Sequence, residues 1–504
     1  MKQLLLVAGL AVAWGHVAVA VAQQPTTPRT GPAQITVAAL SLADAIAVAR
    51  ERNPAFRQAE DKRSPAAWGV RNAYSSLLIP QVTASGGMTY TGPGSQTFLA
   101  QSFTQSVSTV SSFYDLGLSW QLSGATLSQP GLMKAQQRAT DADIAGAENL
   151  LVTGIKQEYL TVLQAIAQAD LAKKTLDRNE EFLKLAQARY GVGQATLIDV
   201  RQAQVARGQA EVALLQAQTN VSVEKLRLFE QMGVTPPVDV SVVQLTDSFR
   251  VEAPTWQLAD MLTIAEQQNP SLKALRAREG AAAWGVRAAT SSYGPSLSLS
   301  AGWSGFTQQF TNVDPLIFSE QAAYANQYSS CQDNNTIRAN AGLPPNNCSV
   351  YIWGAANEQA LRSANSVFPF HFTQQPFQAR LTISLPVFTN FSQQLRVSQA
   401  RADHADLDES VRARGLAVQR EVSQAYLTLQ TAYRTVELQD TNRTAAREQL
   451  QLATERYRIG SGTFFELLDA QVAALRAESD AVNATYDYHK ALAALEAAVG
   501  RSLR

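Results

Sequence analysis

Residues that could perform chemistry are few in this sequence, and none forms a recognisable catalytic set. The four histidines are scattered, without the H-x-x-x-H spacing of a zinc site. Asp403, Asp406 and Asp408 lie close to His404 on a predicted helix, where a charged helix face is the simpler interpretation. No nucleophile has a recognisable base, so we predict a protein that is not an enzyme and holds no cofactor or metal.

The two cysteines, Cys331 and Cys348, are 17 residues apart in a polar stretch rich in Asn, Gln and Pro. In an oxidising compartment such a pair closes a disulfide loop. Two free thiols in a flexible loop are the alternative. We predict the disulfide, which agrees with export from the cytoplasm.

The N-terminus has the pattern of a signal peptide. Lys2 precedes an apolar run over 4–14, and Ala20-Val21-Ala22 forms a cleavage motif that ends a predicted signal peptide over 1–22. A membrane anchor is the alternative, but the run is short for a span. No later stretch approaches the ~20 apolar residues of a spanning helix, so any membrane crossing must use strands. Basic and acidic residues are equal in number, 42 of each, which gives no charge footprint for nucleic acid.

The chain contains an internal repeat. Two matches share a separation of 216 residues: AAWGVR at 66–71 and 282–287, and Asn-Pro at 53–54 and 269–270. A later match, Arg-Tyr at 189–190 and 456–457, has a separation of 267 residues. The extra 51 residues are an insertion in the second copy, and the stretch that bears the cysteines is its expected place.

Each copy is predicted to contain a short helix, two strands, a long helix and a return helix. In the first copy, 23–255, these are 41–78, 82–90, 115–122, 131–190 and 195–231, followed by an extended segment 232–255. In the second copy, 256–504, they are 257–292, 297–303, 377–387, 393–457 and 463–499, with a loop over 307–376 between the strands.

The strand predictions rest on alternation of apolar with polar or small residues. In 115–122, Leu116, Leu118 and Trp120 alternate with Gly117, Ser119 and Gln121. An ordinary sheet with one wet face is the alternative, but the lengths and the aromatic residues near the strand ends suit a membrane sheet. Four strands cannot close a barrel, and an open edge in lipid leaves backbone groups unpaired. Three chains would give twelve strands.

The long-helix predictions rest on apolar residues at steps of three and four, which form a helix-packing seam. Glycines at 191, 193, 460 and 462 mark the turn after each long helix. Gly191-Val192-Gly193 lacks the preceding strand and the third glycine of a dinucleotide site. The predicted architecture is therefore mixed α and β but mostly helical, with two long helical hairpins.

With these elements in this order, the sequence resembles the TolC family of outer-membrane export channels over about 40–500. The sharpest matches are the two turns, from Arg189 through Asp199 and from Arg456 through Asp469. The resemblance implies a homotrimer with a shared 12-stranded barrel in outer-membrane lipid, an equatorial domain that includes the segment 232–255, and a helical barrel through the periplasm. It also implies that the loops 91–114 and 307–376 face outside the cell, and that the turns meet a periplasmic adaptor of an inner-membrane pump.

The resemblance further implies a gate at the turns. By position, Glu466 and Asp469 match acidic residues that narrow the pore, and Tyr457 and Asp199 match residues linked between neighbouring hairpins. Gly462 departs from the pattern, because a family member has Arg there, and glycine cannot form the salt link that this Arg makes. A solvated helix start, where carboxylates favour the dipole, is the alternative for the acidic pair. The implied adaptor-docking residues are Gly191, Val192, Gly193, Ile459, Gly460 and Gly462.

The predicted function is a passive exit duct of a tripartite efflux or type I secretion system, located in the outer membrane with a periplasmic helical extension. The alternative is a periplasmic coiled-coil adaptor or scaffold without a barrel. An adaptor would have one helical hairpin between β-rich modules. Two hairpins and two strand pairs favour the duct.

Overall fold

The structure is a computed structural model that describes residues 39–98, 101–105 and 107–503. The predicted signal peptide, 1–22, lies outside the described residues. The helices, apart from two short 3-10 turns, are α1 Leu42–Arg52, α2 Pro54–Glu60, α3 Arg63–Leu78, α4 Gly124–Gly191, α5 Leu197–Met232, α6 Leu258–Gln268, α7 Pro270–Ser291, α8 Asp314–Asn340, α9 Ala355–Ala364, α10 Ser392–Arg458 and α11 Phe464–Val499. Within the described ranges, no helix is both long enough and apolar enough to cross a membrane.

The strands are β1 Ala39–Leu40, β2 Gln81–Thr91, β3 Gly94–Phe98, β4 Gln101–Gln105, β5 Thr109–Leu122, β6 Gln244–Leu245, β7 Ser296–Phe310, β8 Thr373–Gln374 and β9 Gln378–Ser384. The chain divides into two compact units. The helical unit contains the described residues up to Arg63, together with Thr140–Ala274 and the residues from Val411 onward. The strand unit contains Ser64–Ala139 and Leu275–Ser410.

The predicted short helices, 41–78 and 257–292, are wrong as single elements because each breaks at its Asn-Pro pair. A residue before proline is disfavoured in the helical region, and Asn53 and Asn269 are extended, with ψ of 123° and 120°. The Asn53 side chain donates to the carbonyl of Gln231 at 2.7 Å, and Asn269 donates to that of Ala498 at 2.9 Å. Each break therefore anchors a short helix to the end of a return helix. A further break at 61–62 separates α2 from α3, because Pro65 has no N–H to continue the ladder.

The helical unit has two hydrophobic cores near these anchors. In one, Tyr159 is fully buried on α4, and its hydroxyl lies 2.9 Å from the Leu40 carbonyl and 2.7 Å from Asp247. The short strands β1 and β6 pair in parallel beside it. In the other, Leu429 and Tyr488 are buried between α10 and α11. The long helices start and end close to their predicted bounds, except that α4 begins at Gly124 rather than 131, because Ser123 caps it before Pro130.

The strand unit is an antiparallel sheet in the order β2-β5-β7-β9, with β8 pairing the same side of β7 as β9. The strand predicted over 297–303 extends to Phe310, and that predicted over 115–122 begins at Thr109, because these two strands pair along their whole length. The strand predicted over 377–387 is too long, since β9 ends at Ser384 and Pro386 cannot donate to the ladder.

One face of the sheet carries large apolar side chains that the chain leaves exposed. The register places Val82 opposite Leu118, Leu116 opposite Trp303, and Leu297 opposite Ile383 on this face. Val82, Trp303 and Ile383 are 66%, 52% and 72% exposed. The opposite face is mostly polar or small, with residues such as Thr83, Gly117 and Ser300. The sheet therefore has an apolar face without a core beneath it.

The loop predicted over 307–376 is wrong as a structureless segment, because it contains α8 and α9. Alternation and helical periodicity are weak in this polar stretch, so neither helix is predictable from the sequence pattern. Cys331 of α8 and Cys348 form a disulfide, with 5.7 Å between their Cα atoms. Tyr324 packs edge-on against Trp353 at 5.2 Å between ring centroids. These two links tie α8 to the segment that follows it.

Candidate functional site at the paired helical turns

The site is built from the two turns that join each long helix to its return helix. Both have the same backbone hydrogen bonds, since Gly193 donates to the Tyr190 carbonyl at 3.0 Å and Gly460 donates to that of Tyr457 at 3.2 Å. The two glycines have φ of 76° and 82°, a left-handed conformation that glycine adopts at least cost. The repeat therefore yields two turns of the same geometry in one helical unit.

A hydrophobic cluster directly behind the turns holds the two hairpins together. Its buried members come from α4, α5, α10 and α11: Ala186, Val200, Ala203, Leu450, Tyr457, Phe464, Leu467, Ala470 and Ala474. Tyr457, Phe464 and Leu467 are at most 5% exposed. Burial of a side chain of this size contributes about 1.5–3 kcal/mol, so the cluster fixes the turns against each other.

Arg189 of the first turn lies over the ring of Tyr457 in the second, 4.5 Å from its centroid. Its guanidinium also donates to the carbonyl of Tyr457 and, at 3.0 Å, to that of Gln194. Phe464 packs edge-on against the same ring, at 5.5 Å. A cation over a tyrosine face is attracted by the ring quadrupole. Arg189 is therefore a contact between hairpins that the sequence did not reveal.

The structure brings Tyr457 and Asp199 close together without a hydrogen bond between them. The Tyr457 hydroxyl is buried and has no partner among the described residues. Burial raises the pKa of Tyr457, and the negative charge of Asp199 raises it further. The Asp199 carboxylate instead accepts from the Thr196 N–H at 2.8 Å, as the third residue of a capping box. The polar link implied by family resemblance is thus not made as a hydrogen bond between these two residues within the chain.

Glu466 and Asp469 lie at the exposed start of α11. Glu466 occupies the position equivalent to Asp199, and its carboxylate lies 3.5 Å from the guanidinium of Arg456. A Cβ added to Gly462 would lie 3.1 Å from the Arg456 Cβ and 3.2 Å from the Glu466 carboxylate. The glycine therefore leaves room for Arg456 beside Glu466. The positive charge next to this acidic residue comes from Arg456 of the same turn.

The residues predicted to dock an adaptor lie at the outermost part of both turns. Val192 and Ile459, which are equivalent in the repeat, are 71% and 75% exposed. Gly191 and Gly193 have open space where a Cβ would lie. Each turn therefore presents one exposed apolar side chain, and the backbone around it is uncrowded in the first turn.

An ion network around a buried glutamate joins the hairpins farther along the same helices, and sequence reasoning missed it. Glu478 of α11 is only 8% exposed and contacts Arg178 of α4 at 2.9 Å and Arg447 of α10 at 2.7 Å. Nearer the turns, Asn179 accepts from Gln471 at 2.6 Å. The available signal was a glutamate on the face of α11 that also carries the buried alanines 474 and 481.

Equivalent residues of the two copies are unequally buried. Leu160 and Leu171 of α4 are 5% and 8% exposed, whereas their equivalents on α10, Leu427 and Leu438, are 58% and 66% exposed. The α4 face meets α11, as in the contact of Gln164 with Asn483 at 2.7 Å. The return helix α5, which is equivalent to α11, bears its own row of exposed apolar side chains: Leu197, Ile198, Val205, Val212 and Leu215.

Among the described residues, the turns contain no group that could bind a metal ion. Over the described ranges, no group of three or more His, Cys, Asp or Glu side chains is placed to hold a metal ion. His404 contacts Glu279 at 2.7 Å in the strand unit. The residues gathered at the turns are suited to packing and to charge.

The family model described as outer membrane efflux protein matches residues 45–234 and 349–501. The probable efflux pump outer membrane protein SepC of Pseudomonas putida is 28% identical over 201 residues, which are 38% of this chain and 40% of that protein. The chain thus matches less than half the length of this curated relative. The outer membrane protein VceC of Vibrio cholerae has a similar fold, with a TM-score of 0.65 and 17% identity over 92% of this chain and 97% of that one. The CmeC outer membrane channel of Campylobacter jejuni also has a similar fold, with a TM-score of 0.67 and 14% identity over 91% of this chain and 85% of that one.

Proposed function

Because the chain belongs to the outer membrane efflux protein family, we propose that it is the outer-membrane exit duct of an export system. It conducts substrates passively to the exterior, and an inner-membrane pump with a periplasmic adaptor supplies them. Three copies form the duct, with four strands from each in one 12-stranded barrel. The helical hairpins continue the duct into the periplasm.

The observation that carries this proposal is the unequal burial of equivalent residues. In one chain, the α4 face with Leu160 and Leu171 is covered by α11, while the equivalent α10 face with Leu427 and Leu438 is bare. The equivalent of α11 is α5, so the matching cover is α5 of another copy. Repeating that contact leads to a closed ring, because a heterologous contact between identical chains closes when the rotation allows it.

The sheet supports the same conclusion from the other unit. Its apolar face, with Val82, Trp303 and Ile383 largely exposed, is suited to lipid, whereas in water so large an apolar surface is unfavourable. Its outer strands, β2 and β9, each pair on one side in the described part of the sheet. A strand edge in lipid must be paired. When β2 of one copy pairs with β9 of the next copy, both outer edges of the sheet are paired.

The paired turns are the place where the duct meets its adaptor and closes. Val192 and Ile459 are the exposed apolar contacts for a helical partner. Glu466 and Asp469 of three copies form rings of negative charge, which favour cations over anions. The P. putida relative is described as part of an efflux pump, which supports a pump as the source of the cargo.

Reconstitution of the full mature protein in planar bilayers tests the proposal. The expected result is discrete ion conductance from protein extracted from the outer-membrane fraction. Protein that is found only as a soluble periplasmic monomer, and that leaves the bilayer resistance unchanged, would contradict it. That result would favour the adaptor interpretation.

A further inference from the structure

The two turns carry equivalent Arg-Tyr pairs, at 189–190 and 456–457, but the two pairs make different contacts. Arg189 covers Tyr457, which is 2% exposed. The other two members of the pairs have no such contact with each other, since Tyr190 is 48% exposed and the Arg456 side chain is 58% exposed. The contact of Arg189 with Tyr457 is therefore made within the chain, whereas the equivalent contact of Arg456 with Tyr190 is not.

Arg456 is held in the same way as Arg189. Arg189 reaches the carbonyl of Gln194 at 3.0 Å, and Arg456 reaches that of Ser461, the equivalent residue, at 3.5 Å. The peptide N–H groups of Gln194 and Ser461 also make equivalent bonds, to Arg189 at 2.8 Å and to Arg456 at 2.9 Å. The second turn thus presents its guanidinium as the first turn does. What is missing is a tyrosine ring in front of it.

We propose that Arg456 of each copy stacks on Tyr190 of the next copy, forming the contact between copies that matches Arg189 on Tyr457 within each copy. The inference rests on the proposed ring, in which the second hairpin of one chain adjoins the first hairpin of its neighbour. Each closed ring then contains six such contacts in alternation, three within chains and three between them.

The present partner of Arg456 does not oppose this contact. Glu466 lies 3.5 Å away and both side chains are about half exposed, and an exposed ion pair of this kind contributes little. The contact between copies also differs from the one within a chain, because Tyr457 belongs to a hydrophobic cluster and Tyr190 does not. Arg456 on Tyr190 is therefore the weaker link and the one that separates when the turns move apart.

Cross-linking of the full trimer tests the contact. Tyr190→Cys with Arg456→Cys in one chain is treated with a short bis-maleimide, while Cys331 and Cys348 remain protected in their disulfide. We expect covalent dimers and trimers in a denaturing gel. The matched control, Arg189→Cys with Tyr457→Cys, is expected to link within one chain and to stay at monomer mass.

The outcomes separate this inference from the proposed function. A native mass of three chains together with no link between chains would overturn the inference and leave the duct intact. A native mass of one chain would overturn both. Conductance gives a second test, because Tyr190→Ala is expected to raise the open fraction roughly tenfold, the effect of losing three exposed cation–π contacts. Tyr190→Phe is expected to raise it less, since a ring remains, and equal effects of Phe and Ala would count against stacking.

Discussion

The Oε2 atom of Glu478 lies 2.9 Å from Nη2 of Arg178, so an ion pair joins return helix α11 to long helix α4. Arg447 contacts the other carboxylate oxygen at 2.7 Å. Burial alone would raise the pKa of Glu478, but the hydrogen bond from Arg447 and the charge of Arg178 outweigh it, and the pKa lies below its ordinary value of 4.5. Three helices from both hairpins thus depend on one carboxylate.

Glu478→Gln is expected to lower the free energy of unfolding by about 2 kcal/mol, because both arginines lose their countercharge. The folded pKa is depressed, so this stabilisation is present above the unfolded pKa and is lost as pH falls through the folded pKa. Urea unfolding in detergent at about pH 7 and about pH 3 measures both effects. The control is Glu437→Gln in the exposed pair with Arg434, where a loss under about 0.5 kcal/mol is expected. Equal losses for the two variants would contradict this account.

Tyr457→Phe separates packing from hydrogen bonding at the turns. The hydroxyl is buried without a partner in the part of the chain that the structure describes, so its removal is expected to change stability by less than about 1 kcal/mol or to increase it. Tyr457→Ala leaves a cavity beside Phe464 and is expected to cost about 3–5 kcal/mol.

The pKa of Tyr457 is raised by burial and by Asp199, so its contribution to stability is complete below the unfolded pKa of 10.0 and is lost at higher pH. Tyr457→Phe is therefore expected to reduce the alkaline loss of stability, as thermal unfolding across that pH range would record. A Phe variant as unstable as the Ala variant would show that the hydroxyl has a partner in the assembled protein.

Glu466→Ala combined with Asp469→Ala tests the gate. Removing both carboxylates from each copy is expected to weaken block by divalent cations severalfold, because the rings of negative charge that hold such cations in the pore disappear. Asp403→Ala with Asp406→Ala is the matched control, with the same charge change and the same spacing near the start of α10. Unchanged conductance and block in the first variant would remove Glu466 and Asp469 from the gate.

The disulfide is tested by mass mapping without reduction. A peptide that links Cys331 to Cys348 is expected from the exported protein, and replacing both by Ser is expected to destabilise the segment between α8 and α9 by about 3 kcal/mol. Limited proteolysis should then cut first in that segment. Thiols that react with an alkylating reagent in the untreated protein would disagree with the pairing.

The order of the elements could be predicted from the sequence because the repeat and the alternation carry it. The Asn-Pro pairs at 53–54 and 269–270 were visible as a repeat, yet their effect, a break anchored to a return helix, was missed. Helical periodicity continues across the break, and only the partner carbonyls of Gln231 and Ala498 explain the bend. In the insertion, α8 is not predictable from the sequence, because most of its residues are exposed and its apolar periodicity is weak.

The turns themselves could be located from their glycines, but not the contacts that they make. Arg189 meets Tyr457 across 268 residues, and nothing in the local pattern of either residue specifies the other. Tyr457 and Asp199 were paired by resemblance, whereas in the structure Asp199 caps its own helix through Thr196. Side-chain partners between distant segments follow from packing, which a single sequence does not encode locally.

In the proposed closed ring, the exposed face of α10 in one copy is covered by α5 of another copy. The most direct measurement is the native mass of the protein extracted from the outer membrane in mild detergent. We expect the mass of three mature chains, and we expect it to be lost when Leu427→Glu and Leu438→Glu place charge on the exposed α10 face. A mass of one chain for the unaltered protein would contradict it.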